Sequence, residues 1–224
     1  MKFWADLDDA LSLGTRTWGN HADGTTLLLM GCYQLRGEIS RQVLSALPQQ
    51  VVLEPETWSS PLVPLLDEEL VADAPGHVAV LDRLFDLLLV SVIRAWFNQP
   101  GTVAPGWYRA HTDPVVGRAL RLLQQDPVRA WTVAGLAAES GASRSALARS
   151  FTDLVGVPPM TYLKQWRLAR AADLLLDQDL TLDAIARRVG YSDGPTLSAV
   201  FKSARGVSPR QYREANVGRP DLAV

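Results

Sequence analysis

Two stretches decide the reading of this chain: LAAESGASRSALARSFTDLVGVPPMTYL at residues 136–163 and IARRVGYSDGPTLSAVFKSARGVSPRQYR at residues 185–213. With one residue inserted in the second, they match at Ala137 and Ala186, Gly141 and Gly190, Ser143 and Ser192, and Phe151 and Phe201. The match continues through Gly156 and Gly206, Val157 and Val207, Pro159 and Pro209, and Tyr162 and Tyr212. An internal repeat of this length means one supersecondary unit used twice. Each copy reads as a helix-turn-helix. A first helix (Val133 to Glu139, or Leu182 to Val189) carries alanine where a second helix must cross closely. Gly141 or Gly190 then allows the sharp turn, and Ser143 or Ser192 can cap the next helix. Phe151 and Phe201 fall late in that helix, where they can close a small core. Gly156 or Gly206 ends it, and Pro159 or Pro209 starts another.

Working outward, Met160 to Leu176 reads as one continuous helix of about 17 residues, roughly 25 Å at about 1.5 Å per residue. It would act as a rigid spacer between the two units. Recognition helices held that way could enter successive major-groove turns, about 34 Å apart, on one face of a duplex. A single Ala-rich helical hairpin would equally suit an ordinary bundle, but the duplication favours DNA binding.

Upstream, Asp113 as N-cap with Pro114 in the first turn begins this domain, assigned to residues 113–218. Residues 99–112, with Pro100, Gly101, Pro105 and Gly106, read as a linker. Residues 1–98 form a separate segment. Gly24 to Leu35 resembles a buried strand bounded by glycines, Val51 to Leu53 a shorter one, and Ser40 to Leu47 one or two helical turns ended by Pro48. Pro61 to Val71 and Val78 to Phe97 are amphipathic helices. Val80, Leu87 and Val90 lie off the main stripe of the second, which suits pairing of two chains through residues 78–97. The fold class expected is mainly α: a C-terminal domain of two helix-turn-helix units joined by a long helix, plus a small N-terminal α+β segment and a dimerisation-type helix.

The 224 residues include 22 Lys+Arg, 24 Asp+Glu, 47% hydrophobic residues and one cysteine, a globular composition that excludes disorder and collagen-like repeats. Residues 1–127 hold 9 basic and 15 acidic side chains, residues 128–224 hold 13 and 9, so the basic excess lies with the repeat. Cys32 has no intrachain partner, so neither a disulfide framework nor a cysteine metal cluster is available. The run Leu87 to Val90 is too short to span a bilayer. Asp6, Asp8 and Asp9 stand where a secretory signal would be basic and then apolar, so a cytoplasmic protein is expected.

The residues WTVAGLAAESGASRSALARSF (131–151) and GYSDGPTLSAVFKSARGVSPRQYR (190–213) resemble the DNA-binding domain of AraC/XylS-type bacterial transcription regulators. Leu47-Pro48 and LDRLFDLLLVSVIRAWF (81–97) are similar to the latter part of the cupin-type sensor domain and dimerisation helix in one subgroup. A cupin of that kind has several more strands ahead of residue 1, so the sensor is expected to be partial. The resemblance implies double-stranded DNA as partner, a possible homodimer and a possible small-molecule effector, with no cofactor and no membrane.

The expected DNA-contacting set is Ser143, Arg144, Ser145 and Arg149 in the first copy, and Ser192, Thr196, Ser198 and Lys202 in the second. Arg149 is assigned base reading, since an arginine can grip guanine O6 and N7. Gly194, Pro195 and Ala199 occupy positions that in relatives often carry long base-reading side chains, so the second copy is expected to contact mostly phosphate.

His21, His77 and His111 are far apart and show no metal-ligand spacing. Asp67, Glu68 and Glu69 are adjacent on a helix, where neighbours point apart. Neither pattern supports an enzyme. Two alternatives to a DNA-binding regulator stand: a small-molecule-binding cupin-like protein with weak DNA affinity, or an antagonist that heterodimerises with a full-length regulator.

Overall fold

The computed structural model describes residues 12–14, 17–18, 31, 33, 37–56, 58–72 and 74–216. Their contacts fall into two compact units, one drawn from residues up to 33 and 49–103, the other from 37–48 and 104–216.

In the first unit, β1 (Ser12–Gly14) and β2 (Thr17–Trp18) form an antiparallel ladder with Ser12 opposite Trp18. The main mass is a helical pair, here α2 (Leu62–Ala72) and α3 (His77–Asn98), in which Leu66, Leu81 and Phe97 are buried. The expected α+β character of this region is overturned. The long elements among the described residues are helices, and the short ladder falls where no strand is expected. Val51–Leu53 belongs to no strand: three apolar residues between Pro48 and Pro55 find no described neighbour to complete a ladder. Of the candidate strand at 24–35, Gly31 and Tyr33 are outside any strand and the remainder lies outside the described residues.

The second unit opens with α1 (Glu38–Leu44), then α4 (Gly106–Ala110) and α5 (Val116–Gln125). Helix α4 sits within the stretch read from sequence as linker and packs on the first repeat. Asp113 does cap, three residues ahead of the start of α5: its Oδ1 accepts from the amides of Val115 and Val116 at 2.9 and 2.8 Å.

The repeat follows as α6 (Val133–Ser140) and α7 (Arg144–Val155), then the shared α8 (Pro159–Leu174), then α9 (Leu182–Val189), α10 (Gly194–Arg205) and α11 (Pro209–Asn216). Both turns are built alike. Gly141 and Gly190 hold φ of 76° and 86°, and the next residue's amide reaches back five residues, Ala142 to the Ala137 carbonyl at 3.0 Å and Tyr191 to Ala186 at 2.9 Å. The repeated alanines are thus buried crossing points whose carbonyls close the turn.

The repeated aromatics also do one job twice. Phe151 meets Tyr162 edge-on at 5.7 Å, and Phe201 meets Tyr212 edge-on at 5.4 Å. Both phenylalanines are fully buried, each contributing on the order of 1.5–3 kcal/mol of apolar burial. They belong to separate cores, one around Leu120, Leu136, Leu147 and Phe151, the other around Leu168, Ile185, Leu197 and Phe201. Helix α8 feeds both, Leu163 into the first and Leu168, Ala171 and Ala172 into the second. Among the described residues, no helix is long and apolar enough to cross a membrane.

Candidate nucleic-acid interface

Helices α7 and α10 are each 12 residues long and register with an offset of 50. At about 100° per residue, Ser145 and Arg149 stand opposite the buried Leu147, so burial of Leu147 and Phe151 aims them outward. Arg144 stands to one side at the N-terminus. Arg144 and Arg149 are exposed, and their side chains make no hydrogen bond or ion pair with any described residue.

In α10 the positions equivalent to Ser145 and Arg149 are Pro195 and Ala199, which project opposite Leu197 and cannot hydrogen-bond a base edge. The residues singled out in the second copy sit elsewhere on the helix. Thr196 and Lys202 are exposed, on either side of the outward line, and Ser198 is half-buried. Like the arginines of α7, Lys202 has no described partner for its side chain.

The two N-termini differ in charge. Ser143 caps α7, its hydroxyl accepting from the Ala146 amide at 3.3 Å. The cap expected of Ser192 belongs instead to Asp193, whose Oδ1 accepts from the Thr196 amide at 2.7 Å. Ser192 supports it, donating to the Asp193 carboxylate at 2.9 Å. The extra residue of the second copy lies in the turn and moves the cap one place on. The Thr196 amide and hydroxyl, with the Ser192 hydroxyl, hold the Asp193 carboxyl below the usual range. A second carboxylate, Asp183, accepts from the Gly194 amide at 2.6 Å. The positive end of the α10 dipole is therefore already faced by two anions of its own chain, whereas that of α7 is capped by a neutral hydroxyl beside an arginine.

One residue absent from the sequence reading, Arg167, fixes how the two helix-turn-helix units meet. Arg167, midway along α8, donates from Nε to the Pro127 carbonyl at 2.6 Å and from Nη2 to the Arg129 carbonyl at 3.0 Å. Its guanidinium also faces the Tyr191 ring, 5.9 Å from the centroid. Burial lowers its pKa, against the opposing pull of Tyr191 and Asp126. The 126–131 loop is further held by Trp131, whose indole donates to the Asp126 carbonyl at 2.9 Å. On the other side of the unit, α1 docks through the Glu38 amide to Asp173 Oδ1 at 2.6 Å, the Arg205–Glu38 ion pair, and Arg41 to the Tyr212 hydroxyl at 3.2 Å.

No group of three His, Cys, Asp or Glu side chains among the described residues is placed to hold a metal; His21 and Cys32 lie outside them.

Residues 136–215 match the helix-turn-helix domain family, and residues 4–98 match the cupin family. A Streptomyces lividans protein named as an AraC-like transcription regulator is 38% identical over 149 residues, which are 66% of this chain and 49% of that protein. The chain thus spans about half of that relative's length. The RCS-specific HTH-type transcriptional activator RclR of Escherichia coli is 27% identical over 202 residues, covering 87% of this chain and 70% of its own. Among solved structures, the C-terminal domain of AraT, a response regulator from Geobacillus stearothermophilus, is 33% identical, covering 48% of this chain and 89% of that one with a TM-score of 0.45. With two repeated units on a common helix and a cupin-matching region ahead of them, the chain is similar to AraC-like transcription regulators and carries a helix-turn-helix domain of their kind.

Proposed function

We propose that this protein is a transcription regulator, not an enzyme, that reads double-stranded DNA through two helix-turn-helix units lying in consecutive major-groove turns. The observation that carries this is the outward face of α7, where Ser145 and Arg149 stand opposite the core with Arg144 beside a neutral cap. Arg149 reads a base edge; Ser143, Arg144 and Ser145 contact its surroundings. In the second unit Thr196 and Lys202, with Ser192 and Ser198 at the margin, hold phosphate and set register. Dimerisation through residues 78–97 is supported by the exposed Val78, Val80, Leu87 and Val90 on α3. A small-molecule effector of the cupin-matching region and a cytoplasmic site of action belong to the same reading.

A gel-shift titration over salt tests it. Binding that weakens steeply as salt rises, through release of counterions from phosphate, supports the regulator. The poor chemistry of α10 favours one second reading, a protein with little DNA affinity of its own that acts through ligand binding or by pairing with another regulator. Absence of salt-dependent binding would favour that one.

A further inference from the structure

We infer that Arg167 is a positioning residue that locks the two reading units at one fixed separation and so makes this protein intolerant of altered spacing within its DNA site. The inference rests on the DNA-reading function proposed above. The two cores share no buried residue, so the units are joined by α8 and by whatever bridges its flanks. Arg167 supplies the hydrogen bonds of that bridge, beside the packing of Gly190 on the 127–128 backbone. Its position lies between Leu163, which enters the first core, and Leu168, which enters the second.

From there one guanidinium takes two carbonyls of the first unit's loop, those of Pro127 and Arg129, while facing Tyr191 in the second unit's turn. A planar fork of donors suits two carbonyls at once, which a lysine could not serve in the same way. The Pro127–Val128 backbone is in turn packed against Gly190, where a Cβ would stand 2.8 Å from the Pro127 oxygen, 2.9 Å from Val128 Cα and 3.0 Å from Arg167 Cζ. Loop, spacer and second turn therefore close on one point. Without the guanidinium the second unit would swing about α8, and the two recognition helices would sample a range of separations.

The test uses the full chain with Cys32→Ser as background and Arg167→Met as variant, which keeps the stem and removes the donors. Spin labels at Ser150→Cys and Ser203→Cys, on exposed positions of α7 and α10, report the distance between units with no DNA present. One narrow distribution is expected, broadened by Arg167→Met; an unchanged distribution overturns the brace. The second arm uses the duplex that the unsubstituted chain enriches from a random library, with one base pair inserted or deleted between its two protected segments. The unsubstituted chain should lose tenfold or more on respacing and Arg167→Met less than threefold; equal losses overturn the role in spacing. If no duplex is enriched while the distance arm still responds, the DNA-reading function fails and the brace stands.

Discussion

Gly190 and the Pro127 carbonyl are in such close approach that no side chain fits between them: a Cβ on Gly190 would lie 2.8 Å from that oxygen, and its φ is +86°. Gly141, its partner in the repeat, has φ of +76° and nothing within 4 Å of the corresponding position. The same turn is therefore open in one unit and packed against the other unit's loop in the second.

Alanine at each site separates the two effects. Gly141→Ala should cost only the left-handed backbone strain, about 1–2 kcal/mol. Gly190→Ala should cost clearly more, because the added methyl also displaces the 127–128 loop. Chemical denaturation of the full chain, followed by tryptophan fluorescence, checks this; equal losses would mean the contact between units contributes nothing.

Arg149→Ala should weaken the selected duplex by about 1–3 kcal/mol and relax preference at one base position, because a bidentate arginine contact is lost. Lys202→Ala should instead weaken all sequences alike and lower the salt slope. Quantitative binding to a panel of single-base variants distinguishes the two. Uniform weakening by Arg149→Ala would place that residue on phosphate.

Replacing Asp193 with serine should strengthen DNA binding several-fold at low salt. Serine retains a capping oxygen, as Ser143 does for α7, but removes an anion from the end of α10 that faces phosphate in the proposed function. The gain should shrink as salt screens it. Fluorescence anisotropy on a fixed duplex at two salt concentrations reads this, and unaltered or weaker binding would show that α10 does not approach the duplex by its N-terminus.

The docking of α1 should be sensitive to pH in a defined sense. Burial holds the Glu38 carboxyl above its ordinary range despite Arg205 and Arg41, and burial likewise raises Asp173 despite the amides of Glu38 and Ile39. The folded state thus binds protons more readily than the unfolded chain. This contribution is present below the ordinary carboxylate pKa values and is lost as pH rises through the raised ones. The melting temperature of the native chain relative to Glu38→Gln/Asp173→Asn should therefore increase from pH 7 to pH 4. A relative stability that falls with acidity would show the ion pair to Arg205 outweighing burial.

Sequence made some of these features legible and hid others for physical reasons. Gly141 and Gly190, Phe151 and Phe201, and Tyr162 and Tyr212 were readable because each pair performs one local task twice, so repetition marks it. The cap at Asp193 rather than Ser192 is not legible because serine and aspartate are both good caps, and one inserted residue in the turn shifts the register without changing the pattern. Arg167 left no trace because its partners are backbone carbonyls, and its distance in sequence from Pro127 and Arg129 gives no periodic signal. The N-terminal strands were expected from short apolar runs such as Val51–Leu53, whose conformation depends on neighbours that the run itself does not specify.

The central claim is that one chain carries two reading heads set for a B-form duplex, and footprinting tests it most directly. Hydroxyl-radical cleavage of the selected duplex with the full chain bound should show two protected segments, centred about 10–10.5 base pairs apart on one face of the helix. A single protected segment, or two on opposite faces, would contradict it.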